Sequence, residues 1–166
     1  TYADHIITGE TYLGNYSIPT DCPLIFVEDK LWLEGSVDTR VSVAAARVGE
    51  SYDPDIILID DLTYASDSGG LLAVAENNVL IGIDVPDVME VNGIFIAQEG
   101  FFGRENYGGT HECKDELTIN GTVVSRGRVG TKWVGSSDCW SPSGWYSSGF
   151  AERINRYDRK LVENPP

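Results

Sequence analysis

Asn77-Asn78-Val79-Leu80-Ile81-Gly82-Ile83-Asp84 is one copy of the pattern that decides the fold of this 166-residue chain. Turn residues precede a short apolar segment, and Gly, Asn or Asp follow it. Similar segments lie at 29–37, 55–64, 89–97 and 115–124. Short β-segments that return about every 20 residues are typical of a stacked solenoid, because each coil buries its inward side chains against its neighbours. The pattern therefore predicts an all-β fold, a parallel β-solenoid, and the preferred hand of β-crossovers makes it right-handed.

The same pattern divides the chain into three parts of one domain, residues 1–166. Residues 1–23 are expected to cap the first coil, because an open stack exposes unpaired backbone at its end. Residues 24–125 hold the coils. Residues 126–166, rich in Gly, Ser and aromatic side chains, are expected to form an irregular excursion and tail that cover the coils.

Within the coils, alternation and continuous apolar runs predict which side chains are buried. Leu58, Val74, Ile81 and Ile96 are expected to point inward and to stack in ladders from coil to coil. The continuous runs at 56–59 and 79–83 indicate strands that are covered on both faces.

The last third of the chain concentrates large aromatic side chains. Five of them are too many to leave in water, so packing over the coils is favoured over a flexible surface loop: Trp133, Trp140, Trp145, Tyr146 and Phe150. Exposed members of this group would serve either as a platform for sugar rings or as a subunit contact. Trp140, Trp145 and Tyr157 are the candidate interface aromatics.

The charge balance excludes several classes of partner. The chain has 26 acidic and 12 basic residues and a net charge of −14, which repels nucleic acid and anionic lipid. No apolar run of about 20 residues is present, so direct membrane insertion is not expected. The acidic excess lies in the first hundred residues, whereas the remainder is nearly neutral. This asymmetry forms either a solvated acidic face or a surface that pairs head to tail with another copy.

The three cysteines favour a structural disulfide over a metal site, because they show no CxxC spacing and only two histidines are present. Cys113 and Cys139 lie in the irregular last third, where a cross-link would constrain the unfolded chain. A bond from Cys22 to either of them, or three reduced thiols, are the alternatives.

Catalytic motifs are weak. His5 and His111 have no GxSxG partner motif, and no phosphate-binding or dinucleotide loop is present. Five carboxylates invite a glycosidase or calcium hypothesis, but none matches a calcium loop: Asp53, Asp55, Asp60, Asp61 and Asp67. The sequence therefore predicts a protein that is not an enzyme and has neither cofactor nor metal site.

Four segments together carry a family resemblance: 71–81, 94–103, 117–124, and the closing Tyr157-Asp158-Arg159-Lys160-Leu161 with Asn164-Pro165-Pro166. In this order they resemble the β-solenoid ectodomains of bacterial type IV pilus-associated, minor-pilin-like proteins. The resemblance implies an extracellular, non-enzymatic component of a cell surface or filament, active in self-assembly or adhesion. Its partners would be other copies or other pilus or surface subunits. The alternative is a β-helix that binds or cleaves carbohydrate.

Overall fold

The computed structural model describes residues 6–49, 53–135, 138–163 and 166, and their regular structure is almost entirely β. His5 lies outside the described residues. The strands are β1 (Leu24–Val27), β2 (Leu31–Val37), β3 (Arg40–Ala45), β4 (Ile56–Tyr64), β5 (Gly70–Ala75), β6 (Val79–Ile81), β7 (Val88–Ala97), β8 (Phe102–Arg104), β9 (Cys113–Ser125), β10 (Val129–Gly130), β11 (Lys132–Trp133), β12 (Cys139–Ser141), β13 (Gly144–Tyr146) and β14 (Ser148–Arg156). A 3-10 turn at Gly109–His111 and the short helix α1 (Lys160–Glu163) accompany them. The predicted all-β class is confirmed.

Most strands pair in parallel with a strand further along the chain, and the registers line up in three columns. The first column runs through β1, β3, β5, β7 and β9, and its successive partners are Ile25, Val43, Ala73, Phe95 and Val123. Parallel strands need a long connection between them, which explains why partners are distant in sequence.

The other two columns follow the same rule. The second runs through β2, β4, β6, β8 and β10, with Leu31, Ile56, Val79, Phe102 and Val129 in register. The third uses the later part of β2 and β4, the first part of β7, then β9 and β14, with Gly35, Leu62, Val91, Ile119 and Asn155 in register. The chain visits the columns in one order, five times.

The core draws on all three columns. One apolar cluster joins buried side chains from all three, such as Phe95, Phe102 and Ile119. Burial of a side chain of this size is worth about 1.5–3 kcal/mol, so the stacked columns supply the main stabilising term. The prediction of strands covered on both faces is also confirmed, because Ile57 and Leu80 are buried although they alternate with core residues.

The predicted inward positions are correct in the second column and wrong in the first. Leu58 and Ile81 are fully buried in the core. Val74 and Ile96 are only half-buried, and their smaller or aromatic neighbours take the inward positions: Ala73, Ala75, Phe95 and Ala97. Because side chains alternate between faces, an error of one position moves a whole strand's expected core to the other face.

Turn residues link the segments that precede neighbouring strands of the second column. The Asn78 side chain donates from Nδ2 to Oδ1 of Asp55 at 2.9 Å and accepts at Oδ1 from the backbone N–H of Phe101 at 2.9 Å. Within β9, Gly121 has φ +143°, and a Cβ there would overlap the carbonyl oxygen of Gly93 on the neighbouring strand β7. Glycine is therefore required where these backbones approach.

The two terminal segments differ in how they meet the sheet. Residues 6–23 have no regular structure and are mostly exposed, although Ile18 packs against the core. After β14 the chain runs back along the side, where Lys160 pairs with Asp67 and Leu161 is buried beside Gly70. Among the described residues, no helix is long and apolar enough to cross a membrane.

Candidate functional site

The first end of the sheet is an open edge. In the described chain, β1 pairs only with β3, and β2 pairs only with β4. Leu24, Ile25 and Phe26 of β1 are exposed, although Ile25 heads a column of buried side chains. The segment 6–23, expected to cap this end, leaves those three side chains accessible. Unpaired backbone next to exposed apolar side chains is a surface suited to strand addition.

The last end of the sheet is also an open edge in the first and second columns. Residues 122–125 of β9 pair only with β7, and β10 pairs only with β8, within the part of the chain that the structure describes. Val124 and Val129 are exposed there, and Val123 is half-buried against the core. In the third column, Asn155 of β14 is the final position.

The two ends carry opposite charge. The first end, residues 21–38, has a single basic residue, Lys30, and these acidic residues: Asp21, Glu28, Asp29, Glu34 and Asp38. The last end, residues 122–130 and 153–156, has no acidic residue and these basic residues: Arg126, Arg128, Arg153 and Arg156. Arg126 pairs with Glu99, and the Arg128 guanidinium lies over Phe101 and Trp133 at 4.9 and 4.6 Å. Arg153 and Arg156 are exposed.

A separate feature is a two-stranded hairpin of β12 and β13. Its antiparallel register places Cys139 opposite Tyr146 and Trp140 opposite Trp145. Cys139 and Tyr146 are buried, whereas Trp140 and Trp145 are 65% and 60% exposed. The expectation that all five aromatics are packed is therefore confirmed for Tyr146 and Phe150 and wrong for Trp140 and Trp145. Trp133 is half-buried, and its Nε1 donates to the carbonyl of Arg104 at 2.8 Å. Side chains alternate between the two faces of a strand, so Cys139 and Tyr146 take the inward positions of the hairpin.

The hairpin is fixed at its base. The predicted Cys113–Cys139 disulfide is confirmed, with the two Cα atoms 5.5 Å apart, and Cys22 is free and exposed. The Tyr146 hydroxyl donates to the carbonyl of Lys114 at 3.0 Å, and the Lys132 ammonium lies 4.7 Å from the Tyr146 ring centre. Burial raises the pKa of the Tyr146 phenol, and Asp115 and Asp87 add to the shift. A short hairpin alone is marginal, so these contacts keep its outer face in place.

A groove of about 450 Å³ lies between this hairpin and the third column. Its walls include these six residues: Val88, Asp115, Glu116, Trp140, Pro142 and Glu152. Val88, Glu116 and Glu152 are successive register partners on β7, β9 and β14, so the groove follows the stack direction. Tyr157, the third candidate interface aromatic, is exposed and directly follows β14 at the last end.

Carboxylates that invited a catalytic or calcium hypothesis are used by the fold. Asp55 holds Asn78, Asp61 accepts from the backbone N–H of Glu90 at 2.8 Å, and Asp67 pairs with Lys160. Asp53 and Asp60 are exposed. His111 lies on the 3-10 turn with Nδ1 2.7 Å from Oδ1 of Asp84. Asp60 and Asp61 line one shallow groove with Glu34, and the other three aspartates are not part of its lining.

The geometry of a metal site is met by one group in the described ranges, formed by Glu112, Cys113 and Cys139. Its two sulfurs are joined in the disulfide. Cysteine binds metals as a thiolate, and a sulfur in a disulfide is not a thiolate. This group is therefore not a metal centre.

Sequence reasoning missed a fully buried arginine. Arg104 donates from Nη2 to the carbonyls of Ile83 at 3.0 Å and His111 at 2.8 Å, and from Nη1 to the carbonyl of Gly82. Its guanidinium lies 4.7 Å from the Tyr107 ring centre. Burial lowers the pKa of Arg104 to about 10, against the raising effect of Tyr107 and Asp84. The side chain binds the 109–111 turn to the second column.

Comparison of the chain with protein-family models, with curated proteins and with solved structures finds no match.

Proposed function

We propose that this chain is a structural module that joins end to end with other copies of itself to form a filament. The underlying fold is a parallel, right-handed β-solenoid whose three sides are the three register columns. Support comes from the constant order in which the chain visits the columns, since stacked coils repeat one path. The right hand follows from the general preference of β-crossovers.

The observation that carries the proposal is the complementarity of the two ends. Continuing the internal register into a second copy sets Val123 beside the partner's Ile25 and Val129 beside the partner's Leu31. Continuing the third column in the same way places Asn155 beside the partner's Gly35. Arg153 and Arg156 then lie near the partner's Glu34, which precedes that glycine. Apolar residues then meet apolar residues, and arginines meet carboxylates.

Charged residues at a sheet edge ordinarily keep copies apart. Here the like ends repel and the unlike ends attract, so the charges select one orientation rather than prevent contact. Each exposed ion pair is worth only about 0–1 kcal/mol, so most of the affinity must come from strand pairing and apolar burial. A head-to-tail contact of this kind is heterologous, and it gives an open filament when its rotation does not close.

The proposed setting is extracellular or at a cell surface, as part of a pilus-like or related filament with self-assembly or adhesion as its role. The disulfide supports this setting, because disulfides persist in oxidising compartments. The resemblance to pilus-associated ectodomains supports it as well. A polysaccharide-cleaving role has less support, since Asp55 and Asp61 both accept hydrogen bonds that link neighbouring segments of the fold.

A charge exchange tests the proposal. Glu34→Lys gives a copy with a more basic first end, and Arg153→Glu gives a copy with a more acidic last end. We expect the unmodified protein to form linear oligomers that grow with concentration in sedimentation velocity and electron microscopy. Each variant alone should assemble less, and an equimolar mixture should recover assembly, because the altered ends then meet each other. Asp53→Lys, on an exposed turn residue away from both ends, is the matched control.

Strictly monomeric protein at high concentration, in low and in physiological salt, would overturn the proposal. A mixture that recovers no assembly, while both variants melt as the unmodified protein does, would overturn it as well.

A further inference from the structure

We propose that the outer face of the β12–β13 hairpin and the groove beside it bind an uncharged polysaccharide. The site lies on the side of the columns, so it does not depend on the end-to-end contact proposed above. It goes beyond the structural role, because it gives the module a ligand of its own.

The first argument is the exposure of two indoles at one place. Trp140 and Trp145 lie directly opposite each other on the outer face of the hairpin, and more than half of each side chain is accessible. Tryptophan carries one of the largest apolar surfaces of any side chain. Scattered exposed apolar residues need no explanation, but an adjoining pair beside a polar groove marks an interaction site.

The second argument is rigidity. The disulfide and Tyr146 fix the base of the hairpin. At its tip, the Ser141 hydroxyl donates to the carbonyl of Gly144 at 2.9 Å, and Pro142 has a restricted backbone. A surface that is already ordered loses little conformational entropy when a ligand binds.

The third argument is the chemistry of the groove. A pyranose ring has apolar C–H faces and a rim of hydroxyls. Indole rings pack against the faces, and the carboxylates of Asp115, Glu116 and Glu152 accept hydrogen bonds from the hydroxyls. The groove volume of about 450 Å³ is within the usual range for small-molecule sites.

Charge decides between glycan classes. The groove has three carboxylates in its wall, and the protein has a net charge of −14. Both repel a uronic-acid or sulfated polymer. An uncharged chain avoids this repulsion and still offers hydroxyl donors, so it is the ligand that the groove fits.

Affinity electrophoresis tests the site, in gels containing a soluble β-glucan, a mannan, a xylan or anionic polygalacturonate. We expect at least one neutral polymer to retard the protein. Trp140→Ala and Trp145→Ala should each weaken that retardation about tenfold or more, as large aromatic anchors do. Tyr12→Ala, which removes another exposed aromatic ring, is the matched control and should not change it. Thermal melts of all three variants should match the unmodified protein, because these side chains are exposed.

The measurement is repeated with Glu34→Lys protein, so that loss of glycan binding and loss of assembly are read separately. No retardation by any of the three neutral polymers would overturn the inference. Stronger retardation by polygalacturonate would do the same, as would tryptophan variants that lose self-association instead of glycan binding.

Discussion

Ile25 and Val123 occupy the first and last positions of one register column, with Val43, Ala73 and Phe95 buried between them. Within the described residues, each lies on a strand segment that pairs on one side only. The proposed end-to-end contact would continue this column into a second copy of the chain.

Ile25→Lys should therefore block assembly while leaving the monomer folded. The lysine places a charge where the proposed contact buries an apolar side chain, which is costly without a partner. The Ile25 side chain is already 38% exposed, so the cost to the monomer should stay below about 1 kcal/mol. Light scattering across protein concentration measures the effect. Val48→Lys, at an exposed turn residue with the same change of charge, should assemble normally, and equal behaviour of the two variants would contradict the end contact.

Replacing both Cys113 and Cys139 by serine should lower the free energy of unfolding by about 3 kcal/mol, because the unfolded chain regains the freedom of the closed loop. Denaturant melts measure the loss, and Cys22→Ser is the control with no bond to remove. Peptide mapping without reductant should recover the 113–139 link. Finding all three thiols free in protein prepared under oxidising conditions would contradict the assignment and weaken the case for an extracellular setting.

Ile81→Asp should prevent folding. Ile81 is fully buried in the apolar core, where a carboxylate has no access to water. The guanidinium of its register partner Arg104 already donates to the carbonyls of Gly82, Ile83 and His111. We expect loss of soluble protein or of the cooperative melt. Val124→Asp, on the exposed side of β9, makes the same chemical change and should still fold. A soluble, cooperatively melting Ile81→Asp protein would show that the register of the second column is wrong.

Alkaline titration should report the burial of Tyr64. Burial raises the pKa of its phenol, and Asp158 contributes in the same direction. Below pH 10 the phenol is neutral in both states, and above it the unfolded chain ionises first. The free energy of unfolding should therefore fall as the pH rises above about 10. Tyr64→Phe should make this fall less steep in urea melts on a Cys22→Ser background. Tyr12→Phe, which removes an exposed phenol, serves as the control.

The sequence was sufficient for the β class, the disulfide and the doubly buried strands, because each depends on a local pattern or on a few cysteines. It was insufficient for the face of β5 and β7. There Ala73, Ala75 and Ala97 point inward while the larger Val74 and Ile96 lie on the other face. Hydrophobicity favours the larger residue at a core position, whereas the limited space in a close-packed interior favours the smaller one at some positions.

Trp140 and Arg104 show the same limit from opposite sides. A tryptophan is expected to be buried and an arginine exposed, and in this chain both expectations are reversed. Three backbone carbonyls from two turns, at 82–83 and at His111, accept hydrogen bonds from Arg104, and no local sequence pattern predicts their arrangement. In the sequence, the opposite charge of the two ends appears only as an acidic first hundred residues and a nearly neutral remainder. Which residues form the ends depends on the strand order, which the sequence alone does not give.

The columns keep their register although the chain between successive positions varies in length, with a short connection from Ile25 to Val43 and a longer one from Val43 to Ala73. Loop-closure entropy changes slowly with length, by about 0.6 kcal/mol for each doubling. The turns are therefore places where sequence can be inserted without displacing a strand. In the proposed end-to-end assembly, a recognition peptide grafted into one of these turns would repeat at a spacing set by the backbone, with a specificity set by the graft.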